Sequence, residues 1–264
     1  MPFEELKQRQ AVIWSAGPYQ AVSDTIADIH RQAVDRLEPL AGLRFLDLAC
    51  GTGAVAELVA SSGAEVTGVD LAPGLIEIAR RRADEQGLDI DYRVGDAEAL
   101  DLPDGGFDRV TSTCGVMFAP DHAAVARELA RVTARGGRIA LASWTPDSGV
   151  ADFFAVMRPF QPPMPHGAGN QFEWGREEYV SELLRDDFDL EFDVLDSTLE
   201  MESGQAVWDI WVSDFGPTKT LADSLDDGRR EDLRTAFVEL HERARTGDGI
   251  RFSRTYLLTV GTRR

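Results

Sequence analysis

Leu46-Asp47-Leu48-Ala49-Cys50-Gly51-Thr52-Gly53-Ala54 is the stretch that decides how the rest of the chain is read. Residues 44–49 form a short apolar run of strand type, and 54–61 have the composition of a helix. Between them the chain must turn sharply. Glycine is needed there because the backbone reverses tightly and because a side chain would keep a ligand away from the backbone amides. A bare G-x-G carries little weight, but one placed at a strand–turn–helix junction carries much more.

Working outward, short apolar runs alternate with helical stretches. Strands are expected at 65–70, 89–96, 107–113 and 138–144, with helices at 73–86 and after Asp121, whose side chain suits a helix N-cap. Pro73 falls in the first turn of its helix. The turn Ala134-Arg135-Gly136-Gly137 precedes the fifth strand. Upstream, two helices are expected, from Phe3 to about Trp14 and from about Gln20 to Leu37, split by Ser15-Ala16-Gly17-Pro18. Residues 145–175 are rich in proline and glycine and read as one short helix and a long loop. Segments 188–196 and 250–260 alternate and look like an antiparallel pair at the sheet edge, with two or three helices over 204–247. The expected fold class is α/β. It is a Rossmann-like, doubly wound, seven-stranded sheet, mostly parallel with an antiparallel last strand. Helices are added at the N-terminus and between the last two strands.

One large α/β unit accounts for 264 residues: a helical cap (1–40), a core (41–145) and a substrate-side region (146–264). Hydrophobic residues at 43% and charged residues at 28% exclude a disordered chain. The balance of 27 basic and 46 acidic residues, net −19, opposes binding to nucleic acid or to anionic lipid. Cys50 and Cys114 are too few and too far apart for a disulfide scaffold or a zinc site, so no metal is expected. No secretory signal and no membrane-length apolar run is read, which makes the cytoplasm the default location.

Three carboxylates fall at strand tips. Asp47 lies four residues before Gly51, Asp70 ends the second strand, and Asp96 ends the third. A carboxylate where Asp70 stands can accept both hydroxyls of a ribose, and ligands of open α/β sheets bind at these carboxyl ends. Gly51-x-Gly53-x-x-Ala56 also satisfies a dinucleotide fingerprint, so an NAD(P)-dependent oxidoreductase must be weighed. Asp47 argues against it, because a carboxylate beside a pyrophosphate in a low-dielectric crevice is costly. A sulfonium nucleoside, by contrast, carries net positive charge.

LDLACGTG, VTGVDLAPGLIEIARRRA, GDAEALDLPDGGFDRVTST and CGVMFAPDHAAVARELARVTARGGRIALASW together resemble the class I S-adenosylmethionine-dependent methyltransferases. The likeness is to the branch with ubiquinone- and menaquinone-biosynthesis enzymes and natural-product methyltransferases. It is close over about residues 40–145 and holds only in outline over 146–264. It implies a transferase using S-adenosylmethionine and releasing S-adenosylhomocysteine. By position, Ala49, Cys50, Gly51, Thr52 and Gly53 would hold the methionine moiety, with Asp47 nearby. Asp70 would bind the ribose, Leu71 would pack on the adenine, and Asp96 beside Ala97 would accept from the adenine amine. Thr113 and Cys114 would reach the amino-acid end, and Trp14 and Tyr19 occupy the place of an aromatic that closes over the cofactor.

The expected function is methyl transfer to a small, partly apolar molecule, working by alignment and water exclusion. The alternatives are the oxidoreductase and a non-catalytic module that binds S-adenosylmethionine. No catalytic residue is assigned. His30 and His241 read as ordinary helix residues, His122 as decoration of a helix start, and His166 as the histidine of the candidate acceptor pocket. The acceptor, the atom methylated and the oligomeric state, a homodimer included, stay open.

Overall fold

The computed structural model describes residues 3–264, so the first two residues of the N-terminal stretch lie outside the described residues. The cap consists of α1 (Glu4–Trp14), α2 (Gln20–Asp24) and α3 (Ala27–Asp35). The core runs β1 (Arg44–Leu48), α4 (Ala54–Ala60), β2 (Glu65–Asp70), α5 (Pro73–Gln86), β3 (Ile90–Val94), β4 (Phe107–Thr113), α6 (His122–Val132) and β5 (Thr133–Trp144). There follow α7 (Gly149–Met157), α8 (Glu177–Leu184), β6 (Phe188–Asp196), β7 (Leu199–Met201), α9 (Gly204–Asp214), α10 (Gly216–Ser224) and α11 (Asp227–Glu242). The chain ends with β8 (Arg245–Thr246), β9 (Gly249–Phe252) and β10 (Thr255–Arg263).

The main sheet has seven strands in the order β3-β2-β1-β4-β5-β10-β6. Strands β1 to β5 are parallel, and β10 lies antiparallel between β5 and β6. The strand order reverses between β1 and β4, and the loops leaving their carboxyl ends flank that reversal, where such sheets bind ligands. Four of the five residues of β1 are buried, as a strand covered on both faces requires. Pro73 opens α5 and Gly87 (φ 67°) closes it, while Asp121 accepts from the Ala124 N–H at 2.9 Å to cap α6.

Several boundaries differ from expectation. The second cap helix is two, because the chain leaves helical geometry at Ile26 (φ −121°, ψ 20°). The fifth strand begins at Thr133, since β5 includes the Gly136-Gly137 turn by way of a register shift against β4. The single alternating run at 250–260 divides: β9 joins β7 and β8 in a separate three-stranded sheet, and β10 continues to Arg263. That small sheet and helices α7 and α9–α11 enclose a second apolar cluster, which includes Phe153, Trp208, Trp211, Phe237 and Phe252. Charged helices thus gain an apolar side by packing on one another, away from the main sheet.

Candidate active site

A cavity of about 250 Å³ opens where the loops after β1, β2 and β4 meet the cap. Its wall includes Ala49, Cys50, Gly51, Thr52, Asp70, Leu71, Asp96, Ala97, Thr113, Cys114 and Tyr19, eleven of the thirteen residues expected to contact a cofactor. Asp47 and Gly53 are not part of the wall. Asp47 is 1% exposed, and its Oδ2 accepts the Ala56 N–H at 3.1 Å inside α4. It therefore supports the loop from beneath.

Burial, with the neighbouring Asp70 charge adding to it and the Ala56 bond opposing, pushes the Asp47 carboxyl up to about 8. A carboxyl pushed toward its neutral form and outside the wall repels a pyrophosphate far less than a carboxylate in the wall would. The electrostatic argument against a dinucleotide therefore does not stand on Asp47.

Gly53 (φ 88°) is fixed by geometry, since a Cβ there would run into the Tyr92 hydroxyl. Gly51 (φ 56°) faces open space on its Cβ side. Ala49 (φ 56°) and Cys114 (φ 54°) hold the same left-handed conformation without being glycine. Such positions cost of order 1–3 kcal/mol and cluster at ligand sites. The two turns abut: a Cβ on Gly115 would sit 2.5 Å from the Ala49 Cβ.

With Asp96, Asp70 is one of two carboxylates in the cavity wall. Oδ2 accepts the Gly51 N–H at 2.9 Å and Oδ1 the Ala72 N–H at 2.8 Å. Burial raises its pKa, opposed by these backbone N–H groups. A carboxylate has about four acceptor positions, so two remain for the hydroxyls of a ribose. Tyr19 takes the Gly216 N–H on its hydroxyl oxygen at 3.0 Å, leaving its own proton to donate. Trp14 lies beside it at a ring separation of 6.0 Å.

Asp96 does not stand free. Its Oδ2 receives Lys7 Nζ at 2.6 Å, and the same ammonium reaches Glu98 Oε2 at 2.8 Å. Burial, which lowers the Lys7 pKa, is outweighed by these two acids, and the net shift is upward. Glu98 Oε1 also accepts the Asp121 N–H at 2.7 Å, joining the cap to the start of α6. Lys7 is one of two lysines in the chain, with Lys219, and nothing local to it in the sequence pairs it with two acids some ninety residues away.

The histidines are placed differently from the sequence reading. His166 is exposed and outside the wall; His122 is also outside the wall but buried, and its Nδ1 meets the Tyr179 hydroxyl at 2.8 Å. His30 and His241 line the cavity instead. Burial lowers His30 to about 4. The signal for His241 was its spacing: Leu233, Phe237, Leu240 and His241 form the buried stripe of α11. Arg254 also reaches the wall and had no sequence signature.

S-Adenosylmethionine fits these residues. Asp70 has acceptor capacity for its ribose, and the open left-handed Gly51 lets a ligand approach the backbone. A predominantly apolar wall continues from Leu71 and Val69 toward the second cluster.

A methyltransferase domain family matches residues 46–141. Over 219 residues the chain is 35% identical to an uncharacterized protein of Mycobacterium tuberculosis, covering 81% of this chain and 80% of that one. Relatives at 42% identity are matched over 64% of their own length. An aklanonic acid methyltransferase of a Streptomyces species is 42% identical over 138 residues, covering 50% of this chain and 59% of that one. Among solved structures, the YcgJ protein of Bacillus subtilis superposes with a TM-score of 0.60 at 20% identity, covering 92% of this chain and 99% of that one.

The chain belongs to the class I S-adenosylmethionine-dependent methyltransferases, and S-adenosylmethionine is the cofactor that goes with that family. Among the described residues no helix is long and apolar enough to cross a membrane.

Proposed function

We propose that this chain transfers a methyl group to a small, partly apolar acceptor. The observation that carries the reading is that one cavity joins the glycine loop and Asp70 to an aromatic chamber of Phe153, Phe154, Trp211 and Phe215. The Ala49–Gly53 turn would hold the methionine moiety, with Thr113 and Cys114 at its amino-acid end. Asp70 would hold the ribose, and Leu71, Asp96 and Ala97 the adenine. When bound, S-adenosylmethionine supplies a methyl carbon activated by its sulfonium leaving group, and S-adenosylhomocysteine remains.

The protein's part is alignment and exclusion of water. Lys7, Gln10 and Ser15 tie α1 down over the cavity through Asp96 and Glu98, the Phe118 carbonyl and the Gly74 N–H. The net charge of −19 favours a small molecule over nucleic acid as partner. A cytoplasmic setting belongs to the same reading. So does a division into cap (1–40), cofactor core (41–145) and substrate side (146–264). The name of the Streptomyces relative, an aklanonic acid methyltransferase, supports an acceptor of this kind.

Parallel calorimetric titrations with S-adenosylmethionine and NAD test the reading, followed by assay of S-adenosylhomocysteine release across phenols, carboxylic acids, quinones and amines. Binding of S-adenosylmethionine but not NAD, and turnover with an apolar acceptor, are expected. Preference for NAD would install the oxidoreductase, and binding without turnover on any acceptor would leave a non-catalytic module.

A further inference from the structure

The acceptor side of the cavity carries two buried polar side chains that the cofactor contacts do not use. Arg254, in the gap between β9 and β10, is 3% exposed and lines the wall. Its Nε donates to the Ser197 carbonyl at 2.9 Å, and Nη1 donates to Thr25 Oγ1 at 3.0 Å. Nη2 donates to the Thr25 carbonyl at 2.5 Å and to Ser197 Oγ at 3.1 Å. All these acceptors are neutral, and a guanidinium has five N–H groups. One Nη1 N–H has no partner among the described residues, and no described carboxylate lies within 4.0 Å of the group.

The nearby acids are engaged elsewhere. Asp28 accepts from Ser197 Oγ, and Asp196 accepts from Thr198 and Ser253. On its other side the guanidinium lies 5.8 Å over the Trp144 ring.

His241 stands in the same wall, 2% exposed. Its Nδ1 lies 2.8 Å from the Phe237 carbonyl, which can only accept, so the proton sits on Nδ1. The ring is held between Phe237 and Phe252, with centroids 4.5 and 4.6 Å away. Burial, opposed by the Phe237 bond and helped by the Arg254 charge, holds its pKa below the ordinary imidazole value and favours the neutral ring. Nε2 therefore presents a lone pair, and it bonds to no described residue.

We propose that the acceptor is an oxyacid on an apolar ring body, a phenol or a carboxylic acid, whose acidic oxygen is held by Arg254. The inference rests on the methyl-transfer reading and names its substrate class. Its physical basis is charge balance. Arg254 acts electrostatically on Cys114, which the family resemblance puts at the amino-acid end of the cofactor. With S-adenosylmethionine bound, its net positive charge and the guanidinium would share one poorly solvated chamber, and an oxyanion between them offsets both. Val22, Ile26, Phe153 and Trp211 supply the apolar surroundings for the ring. A phenol entering this site donates a hydrogen bond from its hydroxyl to the His241 Nε2 lone pair, and the proton passes to that nitrogen as the oxygen takes the methyl group. A carboxylic acid arrives already ionised at neutral pH and needs no proton acceptor.

The probes are 2-naphthol, 2-naphthoic acid and 2-naphthylamine, which share one ring body. Each is titrated calorimetrically into the protein saturated with S-adenosylhomocysteine. Both oxyacids are expected to bind, and the amine to bind about thirtyfold more weakly or not at all. Arg254→Met should weaken the oxyacids by about thirtyfold and leave S-adenosylhomocysteine affinity in place. His241→Gln should weaken 2-naphthol more than 2-naphthoate, which a merely structural role would not do.

Equal binding of acid and amine, no binding of any probe at millimolar concentration, or an Arg254→Met variant that keeps its oxyacid affinity overturns the inference while the methyl-transfer reading stands. Failure of S-adenosylhomocysteine itself to bind removes both. Should Arg254→Met not fold, the comparison of the three probes on the unaltered protein decides alone.

Discussion

Lys7 Nζ lies 2.6 Å from Asp96 Oδ2, so the first helix of the cap is ion-paired to the strand tip at which an adenine is expected. The ammonium is 4% exposed, and the Glu98 side chain on its other side is 1% exposed. Breaking such a pair leaves uncompensated buried charge, which costs more than the intact pair contributes. Lys7→Met should therefore lower unfolding free energy by about 3 kcal/mol. Amide exchange across Glu4–Trp14 should quicken, and cofactor affinity should fall several-fold as the cap loosens. Unchanged exchange over that helix would show that the ion pair does not hold the cap.

Asp70 is expected to carry the ribose contact through the acceptor capacity left after the Gly51 and Ala72 bonds. Hydrogen bonds to a charged group contribute about 1.5–3 kcal/mol, equivalent to roughly a ten- to hundredfold change in affinity. Asp70→Ala should lose that much by calorimetry with S-adenosylmethionine. Asp70→Asn keeps one acceptor oxygen and should fall between. An Asp70→Ala protein that binds as tightly as the parent would remove the residue from the site.

How much of this was legible in the chain depends on how local the determinant is. The glycine turn, Asp70 and the Asp121 cap are written in consecutive residues, and each stands where its own neighbours place it. The seven-stranded sheet followed from alternation alone, including the antiparallel closing strand. The division of the 250–260 run into β9 and β10 did not, because partner choice between two sheets is made by residues fifty positions upstream. Asp47 was over-read for a related reason. Its place before Gly51 was correct, but whether a strand-end side chain points into a crevice or under the next helix depends on packing around Ala56. Arg254 became visible only once Thr25 and Ser197 were brought to it.

Gly51 and Gly53 share a left-handed backbone but not the same surroundings. Replacing either with alanine costs about 1–2 kcal/mol for the conformation alone. At Gly51 nothing lies within reach of the new methyl group, so the added penalty should appear in cofactor affinity. At Gly53 the methyl group meets Tyr92 and Ala79, so the penalty should appear in stability. Denaturant unfolding and calorimetry on the two variants should therefore rank them in opposite orders. The same ranking in both measurements would refute the distinction.

Asp47 gives a pH signature with a definite sign. An ordinary aspartate titrates near 3.9, whereas burial pushes this one up to about 8. Between about pH 4 and pH 8 the native state thus holds a proton that the unfolded chain has released. Stability contributed by this group is greatest at the acid end, falls as pH rises through that window, and levels off above about pH 8. Asp47→Asn preserves an acceptor for the Ala56 N–H and cannot ionise. Relative to the parent, the variant should gain stability steadily as pH rises, the curves separating through neutrality and running parallel in the alkaline range. Urea unfolding of both proteins at pH 5, 6.5 and 8 reads the difference directly, with other titrating groups cancelling. A constant offset across the three would mean that Asp47 is ionised in the native state throughout.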